Sequence, residues 1–147
     1  MTDHNSVQVA RRGSHIAVQT LNQPYEVGGR VRTLYASITA SAQTLAQNDR
    51  IYLFDLPANA QPQLLRTKYG AFGASVTLDI GYGAADAATE DDFEAALDIS
   101  AAGSTLGWCD SGDVISATAK TPIYAHFEGG NPADDKVLEV WLYYVLD

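Results

Sequence analysis

The chain has 147 residues, 46% apolar and 10% aromatic, with nine basic residues against eighteen acidic ones for a formal charge of −9. That length suits one domain with a real core, and a charged fraction of 18% argues against a disordered polypeptide. The acidic balance excludes a protein built to grip nucleic acid, and no run approaches the roughly 18 apolar residues of a membrane-crossing helix. Cys109 stands alone, so neither an internal disulfide nor a cysteine-rich zinc site is available. The first twenty residues are polar where a secretory signal needs an apolar stretch, so synthesis in the cytoplasm is expected.

Residues 1–28 read as an extended N-terminal arm. Val7 and Val9, then Ile16 and Val18, are spaced by two in a segment rich in Gln, Asn, Ser and Thr. Gly28-Gly29 breaks the chain, and residues 29–147 are expected to form one domain. Over 30–39 the pattern alternates, with Val31, Thr33 and Tyr35 on one face and Leu34, Ala36 and Ile38 on the other. Asp49 opens the strand-like RIYLFDL, which Pro57 closes, and 63–72 fits a further strand. In 76–82 the period of two sends Val76, Leu78, Ile80 and Tyr82 to a core and Thr77, Asp79 and Gly81 to solvent. Thr89 resembles a helix N-cap with Glu90, Asp91 and Asp92 in the first turn. Phe93, Ala96 and Leu97 follow at i, i+3 and i+4, which predicts one short helix.

The C-terminal third returns to strands: STLGWC, VISATA, IYAHFE and VLEVWLYYV, separated by the turn clusters DSGD and GGNPADD. In the last strand Leu138, Val140, Leu142 and Tyr144 form one apolar face. Val137, Trp141, Tyr143 and Val145 form a second, interrupted only by Glu139. Such a strand is either central in a sandwich or covered by a neighbouring subunit, so Trp141, Tyr143 and Val145 are the candidate subunit-interface residues. Seven or eight strands with frequent Gly, Asn and Asp turns define the expected fold class. It is all-β: a single, jelly-roll-like β-sandwich with one short helix and an extended N-terminal arm.

Chemistry is harder to find. There is no G-x-S-x-G elbow, and Cys109 beside Trp108 reads as a small packing residue. His4 and His15 lie in the arm, while His126 has no marked serine partner for a triad. His126 and Glu128 share a strand face and can share a cation, with Tyr124 beside them, but a three-ligand zinc site would need a further His from the arm. The acidic loops 110–113 and 131–135 offer oxygens to calcium without the EF-hand spacing, and Asp and Asn are equally what tight turns require. Asp91, Asp92 and Glu94 read as a solvated face rather than a catalytic carboxylate pair. GYGAAD lacks the later glycines or GK[ST] of a phosphate loop. Trp141, Tyr143, Tyr144, Tyr35 and Tyr52 suffice for a sugar or protein platform, with core packing as the plainer role. The reading therefore assigns no catalytic, cofactor-binding or metal-binding residues. Charge is unevenly spread: residues 1–75 sum to +3 and residues 76–147 to −12, which fits acidic loops that aid solubility or a surface protein whose basic strap lies on an acidic partner.

Taken together, the polar arm leading into VGGRVRTLYASIT, the run RIYLFDLP…AQPQLL, SVTLDIGYGAADAA, DDFEAALDIS and PIYAHFEGGNPADDKVLEVWLYYV form an ordered series over most of 25–147. This series resembles the capsid decoration, or cement, proteins of tailed bacteriophages. The resemblance implies a virion structural protein, not an enzyme: a β-sandwich, often trimeric, on the outer capsid surface, clamping neighbouring subunits of the major capsid protein. It offers no catalytic residue to carry over. On this reading the partners are the major capsid protein and two further copies of the chain, with no nucleic acid, membrane or cofactor. Arg11, Arg12, His15, Arg30 and Arg32 are then the residues expected to meet an acidic capsid surface. A tail or neck component and a carbohydrate-binding module remain the alternatives.

Overall fold

The computed structural model describes residues 31–40, 45–82, 91–109 and 115–146. Its elements are all strands: β1 (Val31–Thr39), β2 (Arg50–Leu56), β3 (Ala60–Tyr69), β4 (Thr77–Tyr82), β5 (Glu94–Asp98), β6 (Gly103–Trp108), β7 (Thr121–Glu128) and β8 (Val137–Leu146). They form two four-stranded antiparallel sheets, ordered β1-β8-β3-β6 and β2-β7-β4-β5. The first sheet pairs the first strand with the last and the third with the sixth; the second sheet pairs the second with the seventh and the fourth with the fifth. A long hairpin rolled on itself has this nesting, which is the jelly-roll topology. The expected sandwich is therefore the observed one.

Period-two patterning places the core. Ile38 of β1, Leu65 of β3, Leu78 and Ile80 of β4, Ile123 and Phe127 of β7 and Leu138, Val140 and Leu142 of β8 all point between the sheets and are buried. Phe72 and Phe127 meet at one end with ring centroids 5.5 Å apart. Asp49 shapes the entry to β2 by accepting the Ala46 N–H at 2.7 Å. Gly129 turns the chain off β7 at φ 76°, where any side chain would overlap the Ser75 carbonyl oxygen.

Three expectations need correction. The short helix is absent among the described residues: Glu94–Asp98 is strand β5, paired with β4. A bulge lies between the Leu78–Leu97 and Ile80–Glu94 pairs, and Ala96 sits there at φ 48°. Phe93 and Leu97, four apart on either side of the bulge, both pack against the core, which imitates helical spacing, while Ala96 between them is exposed. Thr89 and Glu90 lie outside the described residues. Residues 115–119 of the expected VISATA strand are bends and coil rather than strand, held by the Ser116 carbonyl accepting from Asn59 N–H and its Oγ from Ala119 N–H. Asp79 and Gly81 do not reach solvent: both are buried, because β4 is an inner strand walled on either side by β7 and β5. The arm, residues 1–28, lies outside the described residues.

Candidate functional site

The outward face of the β1-β8-β3-β6 sheet is the most unusual surface of the molecule. Strand register sets its rows. Thr33, Tyr143, Leu64 and Trp108 line up across the four strands, followed by Tyr35, Trp141, Arg66 and Leu106. Val31 with Val145 extends the apolar area at one end, and Val137 extends it at the other. Trp108 is 77% exposed, Leu106 65% and Val31 64%. Single exposed apolar groups are ordinary, but a contiguous set containing two tryptophans and two tyrosines makes this face the candidate contact surface.

The polar groups on that face are tied down rather than free to move. The Tyr35 hydroxyl donates to Glu139 Oε1 at 2.9 Å, and Lys68 Nζ lies 3.2 Å from Glu139 Oε2. These two partners, Tyr35 first, hold the Glu139 carboxyl below its ordinary pKa. The Arg66 guanidinium lies over the Trp141 ring at 5.1 Å, and the Tyr35 and Trp141 rings are also 5.1 Å apart. One Glu, one Lys and one Arg thus frame a stiff aromatic platform. Its rigidity lowers the entropy that a partner must overcome on docking.

Charge sorts by sheet. The strands of this sheet carry Arg32, Arg66 and Lys68 against Glu139, a net +2. Those of the other sheet carry Arg50 against Asp55, Asp79, Glu94, Asp98 and Glu128, a net −4 with His126 neutral. The asymmetry read along the sequence becomes one across the thickness of the sandwich.

The outward face of the second sheet holds a different constellation. Asp79 and His126 are cross-strand partners on β4 and β7, and Glu128 follows two residues along β7. Their ligand-capable atoms all lie within 4.8 Å of one another. His126 Nδ1 is 3.5 Å from Glu128 Oε1, and Asp79 Oδ1 accepts the Ala96 backbone N–H. Arg50 is the next residue across from His126, its guanidinium 4.2 Å above the Tyr124 ring.

The structure treats the sequence-derived residues unequally. Arg11, Arg12, His15 and Arg30 lie outside the described residues, as do Asp110 and Asp113. Arg32 is exposed on the edge strand β1. Trp141, Tyr143 and Val145 are together on the apolar face, half-buried, on a strand that is central in its sheet and whose outer side no described strand covers. The five-residue aromatic platform divides: Tyr35, Trp141 and Tyr143 share that face, Tyr144 is in the core, and Tyr52 is on the other sheet beside Tyr124. Trp108, Leu106 and Leu64 were missed as surface residues; alternation through STLGWC opposite the buried Cys109 carries that signal. Asn131 anchors a loop, its Oδ1 accepting the Gln47 N–H at 2.9 Å, as a turn residue does. Asp79 as a neighbour of His126 depends on strand order, which the local pattern does not contain.

Fold and surface together define a jelly-roll sandwich with one broad apolar face. No protein-family model matches the chain, and no curated protein matches it. Among solved structures it is similar to a chain of the capsid of Ralstonia phage GP4, with a TM-score of 0.68 and 23% identity over 81% of this chain and 86% of that one. It is also similar to a chain of the cyanophage Pam1 capsid asymmetric unit, with a TM-score of 0.60 and 18% identity over 100% of both chains. A third likeness is to a chain of the acidic stable capsid of Helicobacter pylori bacteriophage KHP30: TM-score 0.53, 18% identity, 80% of this chain and 89% of that one. At these identities the likeness establishes a common fold.

Proposed function

We propose that this protein is a bacteriophage head decoration protein: a non-enzymatic fastener, made in the host cytoplasm, that binds the outer surface of the major capsid shell and clamps neighbouring subunits. The observation that carries the reading is the apolar face of the β1-β8-β3-β6 sheet, on a fold shared with chains from three phage capsids. Stable interfaces bury about 800 Å² per partner, and a four-stranded sheet face with exposed Trp108, Leu106 and Tyr35 offers a contact on that scale. In this reading the face, with Trp141, Tyr143 and Val145, packs against further copies in a homotrimer. Arg32 and the leading segment, through Arg11, Arg12, His15 and Arg30, reach acidic shell surface. An extended arm of residues 1–28 would span up to about 95 Å, enough to cross a subunit seam. Many weak contacts on one lattice sum through effective concentration.

The test is the position of the chain in an electron cryomicroscopy reconstruction of the virion, with occupancy compared between the full chain and a variant lacking residues 1–28. Density on the outer shell, and lower occupancy for the shortened chain at an unchanged unfolding midpoint, support the reading. Density confined to tail or neck, or glycan binding by the purified protein, overturns it.

A further inference from the structure

The geometry points to a divalent-cation site, of the class that takes zinc, formed by Asp79, His126 and Glu128 on the outward face of the second sheet. One imidazole nitrogen and two carboxylate oxygens are a donor set that zinc accepts, with further positions left for water. Donors bound at about 2.0–2.2 Å around a cation stand roughly 3–3.6 Å apart. The His126–Glu128 pair already has that spacing at 3.5 Å, and all three donors lie within 4.8 Å, so small side-chain rotations close the site. Calcium, which wants six to eight oxygens, fits this set poorly.

Two features argue for a prepared site rather than a chance meeting of polar groups. The first is burial: His126 is 4% exposed and Asp79 9%, although both project from the outward side of the sheet. Ionisable groups gathered in such surroundings are costly without a compensating charge. The second is orientation. The β5 bulge puts the non-glycine Ala96 at φ 48°, and its N–H is donated to Asp79 Oδ1, which fixes the carboxylate beside His126. Bulges that re-aim groups, and residues held in the left-handed region, concentrate at binding sites. Two carboxylates and a neutral imidazole balance a dication. Arg50, the nearest cation along the row, is stacked on Tyr124, and it is the competing counter-charge in the absence of metal. A bound ion would tie β4 to β7, the two inner strands of the sheet.

Calorimetric titration of the chelator-treated full chain with zinc chloride tests this, and it requires no capsid. The expected result is one equivalent bound and an unfolding midpoint raised by about 5 °C at saturation. Binding should weaken at least tenfold in Asp79→Asn and in Glu128→Gln, and it should persist in a His4→Ala/His15→Ala double variant. Glu128 lies at the rim, so Glu128→Gln decides the matter even if Asp79→Asn fails to fold. No stoichiometric binding, binding untouched by Glu128→Gln, or binding lost with His4 and His15 overturns the assignment. Each of these results leaves the location of the chain in the virion untouched.

Discussion

Replacing Trp108 with threonine separates folding from assembly. Threonine keeps β-propensity in β6, so the change removes aromatic area and little else. A tryptophan side chain presents about 200 Å², and at 77% exposure only about 50 Å² of it is covered within the protomer. At about 25 cal/mol per Å² the folding stability falls by about 1 kcal/mol at most. If the face is covered by another copy, the remaining area of about 150 Å² is worth about 4 kcal/mol, less about 1 kcal/mol for ordering the side chain. The net loss weakens association on the order of 100-fold per contact. Sedimentation equilibrium across a concentration series reads the association, and urea unfolding reads the fold. A wild-type chain that stays monomeric throughout, or a variant that associates as tightly as wild type, would refute the assignment of this face to self-association. So would a stability loss above about 3 kcal/mol, which belongs to a core residue.

The other expected outcomes concern single groups. Thr67 is fully buried, and its Oγ1 finds no partner among the described residues, so Thr67→Val should add about 1 kcal/mol of stability in urea unfolding. Burial pushes the Glu94 carboxyl above its ordinary pKa despite the Thr105 hydroxyl donated to it at 3.1 Å. The folded chain then holds the proton more tightly than the unfolded one, so stability declines as pH rises from the ordinary carboxylate pKa through the raised one. Glu94→Gln should abolish that decline and unfold at a higher temperature at pH 7. Glu139 has the opposite sign: its depressed pKa gives stability that is present above the ordinary value and lost as pH falls through the lowered one. Glu139→Gln should flatten the acid limb of a midpoint-against-pH plot.

A period of two announced β1 and β4, and apolar runs bounded by turn residues announced β2, β7 and β8. Pairing is a long-range property. Val31 meets Val145 across most of the chain, and no local period encodes such a partner. β5 was misread because a bulge breaks the period of two and leaves Phe93 and Leu97, four apart, both packed on the core. The candidate surface was half legible. Trp141, Tyr143 and Val145 betrayed themselves by a doubly apolar strand, whereas Trp108 looked like a core neighbour of Cys109. The cluster around His126 was visible as two residues, and its third member arrives only when β4 is laid against β7.

The Glu94–Thr105 hydrogen bond has a consequence for how copies can meet. It joins β5 to β6, the border strands of the two sheets on one side of the sandwich, and places an inward-turned carboxylate where a stray strand would otherwise add. Strand-by-strand growth is open-ended and makes fibres, whereas contact through a broad flank can close into a finite ring. A protein with so adhesive a flank is safest when its borders repel, and the acid keeps its place there even though neutralising it would make the isolated chain sturdier.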